Sequence, residues 1–220
     1  MTRRPTAAAL LVAAAATLAL PGGAAAQGEP VASDRPIILT VGESTTAGYG
    51  VPRELSYPGQ LQTELDRRGY RYRVVNQGVS GSTTQDALTR LSRGMGLLPK
   101  IVIIALGGND SGGRVPIERT RANMDRLISM YKRGGALVFV SNRNLPGDEG
   151  KDANTIFATL AAQHGAVLMP PLLSGVDGHA DLLIGDGRHP NADGYAIVVR
   201  NILAVLEPYL KEASARSSSN

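Results

Sequence analysis

The sequence predicts an α/β fold, a three-layer α/β/α sandwich around a five-stranded parallel sheet. Three observations predict it. From residue 35 onward, short β-branched runs alternate with longer amphipathic runs. The run "KIVIIAL" (100–106) is continuously apolar with no polar alternation, the pattern of a strand buried on both faces, as in parallel sheets. The spacings between runs suit right-handed βαβ units.

Taken in order, "PIILTV" (36–41) reads as the first buried strand. In "SYPGQLQTELDRRG" (56–69), Leu61 and Leu65 are four apart and Gly69 marks a stop, so a helix is predicted. "YRVVN" (72–76) is the second strand. "TTQDALTRLSRG" (83–94) is a helix with Thr84 as its expected cap and Leu88 and Leu91 on one face. "KIVIIAL" is the third strand. "PIERTRANMDRLISMYKRGG" (116–135) carries Ile117, Met124, Leu127, Ile128 and Tyr131 at helical spacing and ends at two glycines. "ALVFV" (136–140), "DANTIFATLAAQHG" (152–165) and "AVLMP" (166–170) read as strand, helix and strand. A last helix is expected from about Pro190-Asn191 through "GYAIVVRNILAVLEPYL", followed by a disordered Ser-rich tail, 213–220. With no repeat and no second composition regime, residues 36–212 form one expected domain. In such sheets the functional crevice lies at the carboxyl ends of the strands, so the segments after Val41, Asn76, Leu106 and Val140 matter most.

Residues 1–26 are read apart from the domain, as a cleavable signal peptide. Arg3 and Arg4 give a basic start, residues 7–20 a 14-residue apolar run, Pro21-Gly22-Gly23 a break, and Ala24-Ala25-Ala26 a small-x-small cleavage pattern. A spanning helix needs roughly 20 residues, so no stable membrane anchor is expected once this segment is cleaved. Residues 27–35 read as a linker, and the destination as the periplasm or outside the cell. The absence of cysteine excludes a disulfide framework, a Cys nucleophile, thiolate metal sites and a lipidated N-terminal Cys. The 220-residue chain carries +4 formal charges, two of them from Arg3 and Arg4. The other basic residues are scattered without interleaved aromatics, and Trp is absent, so no nucleic-acid partner is expected.

The loop "GESTTAG" (42–48) after the first strand fits two chemistries. It can cradle a phosphate at a helix start, although a nucleotide triphosphatase would add a Lys that is not there; a flavin-phosphate loop survives that objection. Or Ser44 is a nucleophile on a tight turn, its own N–H facing a developing oxyanion. After the second strand, "NQGVSGSTT" holds Gly78 and Gly81, which permit close backbone approach. After the third, "LGGND" offers the Asn109 amide at the crevice. Each loop alone is also an ordinary turn.

The histidines discriminate. His164 precedes Gly165 at a helix end and reads as structural, while His179 lies in a polar loop with Asp177 and Asp181 nearby. His189 stands three residues after Asp186 in "GDGRHPNADG". One turn of loop then carries both groups, the carboxylate on one imidazole nitrogen and the other nitrogen free to accept from Ser44.

With these four blocks in this order, the chain resembles the SGNH (GDSL-type) hydrolases, in particular their bacterial thioesterase I / lysophospholipase / arylesterase branch. "GESTTAGYG", "VNQGVSGSTTQDALTRL", "ALGGND" and "DGRHPN" carry the resemblance, which spans nearly all of residues 36–210. It implies a flavodoxin-like sandwich. It implies Ser44 as nucleophile and oxyanion donor, Gly81 as a backbone N–H donor, Asn109 as a side-chain donor, His189 as general base and Asp186 as its orienting partner. One position departs from the pattern: Glu43 stands where the family has Asp before the serine. Its extra methylene changes the reach of the acid and predicts looser positioning of the nucleophile.

The resemblance implies hydrolysis of acyl esters, thioesters or lysophospholipids, small-molecule or lipid-derived substrates, by a monomer with no metal and no organic cofactor. The nearest alternatives are a carbohydrate O-acetylesterase and a non-catalytic binding module on the same fold. The loops 109–116 and 141–152 are expected to line the substrate, with Glu43, Asp110, Arg114, Val115, Arg143 and Leu145 as the lining residues.

Overall fold

The five runs read as strands all become strands, and all five run parallel. The computed structural model describes residues 35–111, 115–141 and 147–217. The strands are β1 (Ile37–Gly42), β2 (Arg73–Gly78), β3 (Ile101–Ala105), β4 (Leu137–Ser141) and β5 (Val167–Met169), in the order β2-β1-β3-β4-β5. That is the flavodoxin-like order. β1 and β3 are buried along their whole length, as the unbroken apolar runs require of central strands.

The helices are α1 (Ser44–Ala47), α2 (Tyr57–Arg67), α3 (Thr84–Thr89), α4 (Leu91–Met95), α5 (Ile117–Arg133), α6 (Gly147–His164) and α7 (Ala192–Ser217). Because side chains alternate across a strand, the central strands feed two cores. Ile38, Ile101 and Ile103 meet Leu61 and Leu65 of α2 and Val198, Ile202 and Leu206 of α7. Leu39, Val102 and Ile104 face the other way, onto Met124, Leu127 and Ile128 of α5 and Phe157 and Leu160 of α6. Helices cover both faces, which gives the three layers.

Three elements differ from expectation. The 83–94 helix is broken at Arg90, because the carbonyl of Asp86 is taken by the Thr89 hydroxyl (2.7 Å) and the Arg90 guanidinium (3.1 Å), and Arg90 N–H turns to Ala87 O instead. Side-chain competition of this kind disrupts a helix. The cap of α3 is Thr83, one residue before the expected Thr84: Thr83 and Asp86 exchange side-chain and backbone bonds in a capping box. Finally, α7 is assigned as far as Ser217, past the end expected for the last helix near Leu210. Ala213, Ala215 and Arg216 are strong helix formers. The expected signal peptide and the last three residues lie outside the described residues.

β2 and β3 lie on opposite sides of β1, so the strand order reverses between β1 and β3. A crevice opens at such a switch point, at the carboxyl ends of the strands. The loops carrying Ser44 and Asn109 leave the sheet on either side of it.

Candidate active site

β1 ends on Gly42 and the chain turns at once into the single helical turn of α1, with Ser44 as its first residue. Gly42 is required there because a Cβ would stand 1.9 Å from Thr46 Oγ1. The turn is held from beneath by three groups. Tyr195 OH donates to Thr45 O (3.0 Å), Asn76 Nδ2 to Thr46 O (2.8 Å), and Tyr57 OH to Thr46 Oγ1 (3.1 Å). Tyr57 and Tyr195 are fully buried, and burial pushes both phenols well above their ordinary range, so they remain donors.

The loop before α7 brings the far end of the chain to this turn. Ile184 N–H donates to His189 O (2.8 Å), Leu183 bridges Pro190, and Gly187 takes the left-handed conformation with φ 65°. This folds Asp186 back on the loop. Its Oδ1 accepts from the N–H groups of Arg188 (2.9 Å) and His189 (3.0 Å), and its Oδ2 lies 2.6 Å from His189 Nδ1. The bond to the His189 ring, then the two backbone N–H groups, hold the Asp186 carboxyl down at about 2. On the other side of the ring, His189 Nε2 is 2.8 Å from Ser44 Oγ. With the ring proton on Nδ1, Nε2 accepts from the serine hydroxyl. This arrangement lets a base take a hydroxyl proton while a carboxylate steadies the cation that forms. His164 is held elsewhere, by Asp125 at 2.8 Å, and His179 begins a short 3₁₀ turn at 180–182.

The loop after β2 is tied to β1 by Val79 N–H on Gly42 O (3.1 Å) and closes through Ser82 N–H on Val79 O (3.1 Å). Gly81 sits at its apex with φ 77° and open space where a Cβ would point. Across the crevice, Asn109 Nδ2 donates to Glu43 Oε2 (2.8 Å) and to Ser82 O (3.0 Å), and its backbone N–H also donates to Glu43 Oε2 (3.1 Å). Asn109 therefore joins the ends of β1, β2 and β3.

The residues expected to line the substrate divide. Glu43 is buried at 3% exposure and is turned toward Asn109, where it walls a small cavity with Thr45, Ala105, Leu106, Ser141, Leu172 and Leu173. Asp110 does not line the crevice. It is 2% exposed; it accepts from Thr84 N–H (2.9 Å), the Thr84 hydroxyl and the Thr120 hydroxyl (3.0 Å), while Asn123 Nδ2 supports Thr84 Oγ1 (3.0 Å). The start of α3 offers unpaired N–H groups, and those draw the carboxylate inward. Val115 is half-buried and donates its N–H to Asp110 O (3.1 Å). Arg114, Arg143 and Leu145 lie outside the described residues.

Sequence reasoning missed Tyr57, Asn76 and Tyr195, which read only as helix and strand positions, and Tyr49. The Tyr49 ring lies against the His189 imidazole, with centroids 4.8 Å apart and planes tilted by 46°. Buried tyrosines in an amphipathic run give no signal beyond core, since only the fold shows what their hydroxyls meet.

A sequence profile described as the GDSL-like Lipase/Acylhydrolase family matches residues 40–197. The chain is 31% identical over 181 residues to the esterase TesA of Pseudomonas aeruginosa, covering 79% of this chain and 89% of that protein. It is 31% identical over 178 residues to an arylesterase of Vibrio mimicus, again covering 79% and 89%. A crystal structure of TesA superposes with a TM-score of 0.74 at 30% identity, covering 78% of this chain and 98% of the other.

Proposed function

The chain belongs to the GDSL-like lipase/acylhydrolase (SGNH) family and is a hydrolase acting on ester bonds, and from that premise we propose that it works through Ser44, His189 and Asp186. The observation that carries this reading is the unbroken chain from Asp186 Oδ2 to His189 Nδ1 (2.6 Å) and from His189 Nε2 to Ser44 Oγ (2.8 Å). Ser44 Oγ attacks the acyl carbonyl as its proton passes to Nε2. The tetrahedral intermediate collapses when Nε2 gives that proton to the departing oxygen or sulfur. Water then attacks the acyl-serine, with His189 again as base, and the acid is released. Asp186 holds the imidazole in the required tautomer throughout and stabilises the imidazolium.

The oxyanion is held by the N–H groups of Ser44 and Gly81 and by Asn109 Nδ2. The space over Gly81 is open. Asn109 keeps the shorter bond, to Glu43, and turns the hydrogen now on Ser82 O to the oxyanion. Removing one such donor typically costs a hundred- to a thousandfold in kcat.

In this reading the chemistry calls on no metal or organic cofactor, and residues 36–212 act as a monomer on small acyl esters or thioesters of the arylesterase, lysophospholipase and thioesterase kind. Residues 1–26 direct export to the periplasm or beyond. Among the described residues no helix is long and apolar enough to cross a membrane.

The test is hydrolysis of p-nitrophenyl esters from acetyl to palmitoyl by the protein and by Ser44→Ala. Activity that disappears in the variant supports the reading, and the chain-length optimum separates an acyl esterase from an O-acetylesterase. A folded variant that keeps the parental rate overturns it.

A further inference from the structure

The reaction fixes where each end of the ester must lie. His189 Nε2 returns the proton of Ser44 to the departing oxygen, so that oxygen must come within roughly 2.6–3.2 Å of Nε2. The carbonyl oxygen points the other way, toward Gly81 and Asn109 at the ends of β2 and β3. The alcohol portion of the substrate is therefore placed on the His189 side of Ser44.

Tyr49 stands on that side. Its ring is packed on His189, yet the residue is 51% exposed, so the core does not account for it. The backbone beneath it is fixed. Gly48 and Gly50 flank it with φ 84° and 80°, and Tyr49 N–H donates to Ser44 O at 3.0 Å. The nucleophile and an open aromatic surface thus belong to one turn, and the base packs against that surface from the loop before α7. Val79, another exposed apolar residue (43%), sits two positions before Gly81, on the loop after β2.

We propose that Tyr49 is the surface on which the leaving group rests, and the residue through which an ester with a flat, aromatic alcohol side gains over one with a small alcohol. The proposal rests on the roles given above to Ser44 and His189. A phenyl or naphthyl leaving group stacks in an offset or tilted arrangement on the free part of the ring, the geometry aromatic pairs prefer. A small alcohol such as methanol reaches Nε2 without touching Tyr49. The bond broken is the acyl C–O bond, and the proton from Ser44 Oγ leaves with the alcohol.

The experiment compares Tyr49→Ala and Tyr49→Phe with the parent on methyl, phenyl and 2-naphthyl butyrate, reading kcat/KM, which contains only the steps up to departure of the alcohol. Tyr49→Ala is expected to lose about tenfold on the two aryl esters, the worth of a lost aromatic contact, and less than twofold on methyl butyrate, while Tyr49→Phe keeps the parental values. On p-nitrophenyl esters of varied acyl length the Tyr49→Ala loss is expected to stay constant. An equal loss on methyl and aryl esters would show that the ring only orients His189, and overturns the proposal. So does a loss that grows with acyl length. Failure of the underlying reading is seen separately, as parental activity surviving in Ser44→Ala or His189→Ala.

Discussion

Glu43 Oε2 accepts two hydrogen bonds from Asn109, one from the backbone N–H at 3.1 Å and one from the side-chain amide at 2.8 Å. The two residues stand at the ends of adjacent strands, β1 and β3, on the two sides of the crevice. Glu43, at the position where the resembled family has Asp, reaches both donors with one carboxylate oxygen.

Shortening or neutralising that acid tests the relationship. Leaving a buried polar group without its partner costs about 1–3 kcal/mol, and Glu43 is buried. Glu43→Gln is expected to lower kcat about tenfold with KM little changed, since the cost of a loosened oxyanion donor falls on the transition state. Glu43→Asp, although it restores the family residue, is expected to lose activity too, because the shorter side chain cannot meet both donors from the same backbone. Steady-state kinetics on the preferred ester decide both. An Asp variant faster than the parent would show that Asn109 is positioned by other means.

The Asp186 carboxyl, held at about 2 against an ordinary 3.8, makes a pH prediction. A lowered carboxyl contributes stability above its unfolded value and loses it as pH falls through its folded value. The window here is therefore from about pH 4 down to about 2. Acid denaturation of Asp186→Asn is expected to show a shallower loss of stability in that interval than the parent. In the parent, Asp186 is expected to add no further steepening to the acid limb of log(kcat/KM) down to about pH 3, because its carboxyl is held low. A turn to a slope of two near pH 4 would mean that the Asp186 carboxyl is not held low.

Much of this was legible because parallel strands buried on both faces leave continuous Val and Ile runs, and because the chain has only three histidines, of which His189 alone stands three residues after an aspartate, Asp186, in a loop. The five strands and the meeting of His189 with Ser44 follow from those signals. Asp110 was misplaced because a carboxylate after a strand looks the same in sequence whether it faces the crevice or caps α3. The break at Arg90 depended on which side chains reach the Asp86 carbonyl. The props under α1 were hidden for a similar reason: Tyr57 and Tyr195 have the spacing of core residues, and their hydroxyl partners are set by how α2 and α7 pack.

Leu98 offers a stability test away from the site. It is the one non-glycine with positive φ (50°) among the described residues, and it is 78% exposed. It turns the chain between α4 and β3, at the opposite end of the sheet from Ser44. A left-handed leucine costs roughly 1–2 kcal/mol, part of which the looser unfolded chain takes back when glycine replaces it. Leu98→Gly is expected to gain about 0.5 kcal/mol in urea unfolding, with unchanged esterase activity. A destabilised variant would show that the exposed side chain makes a contact worth more than the strain.

Tyr195 connects the two ends of the chain that the reaction needs together. It lies six residues after His189, in the first turns of α7, and its hydroxyl donates to Thr45 O beside Ser44 (3.0 Å). α7 is anchored at that end by Asn191, whose Oδ1 accepts from Gly194 N–H (3.0 Å) and whose Nδ2 donates to Asp181 O (2.7 Å). The base-bearing loop and the nucleophile turn thus share a buried bond, besides the contact between His189 and Ser44 themselves. Tyr195→Phe keeps the ring in its apolar setting and removes only the hydroxyl, leaving Thr45 O without its donor at a cost of about 1–3 kcal/mol. A shift of under an ångström between Ser44 and His189 is enough to slow proton transfer, so kcat is expected to fall about tenfold while KM holds. A Tyr195→Phe enzyme of lowered melting temperature but parental kcat at 25 °C would show that this bond stabilises the fold without setting the distance between nucleophile and base.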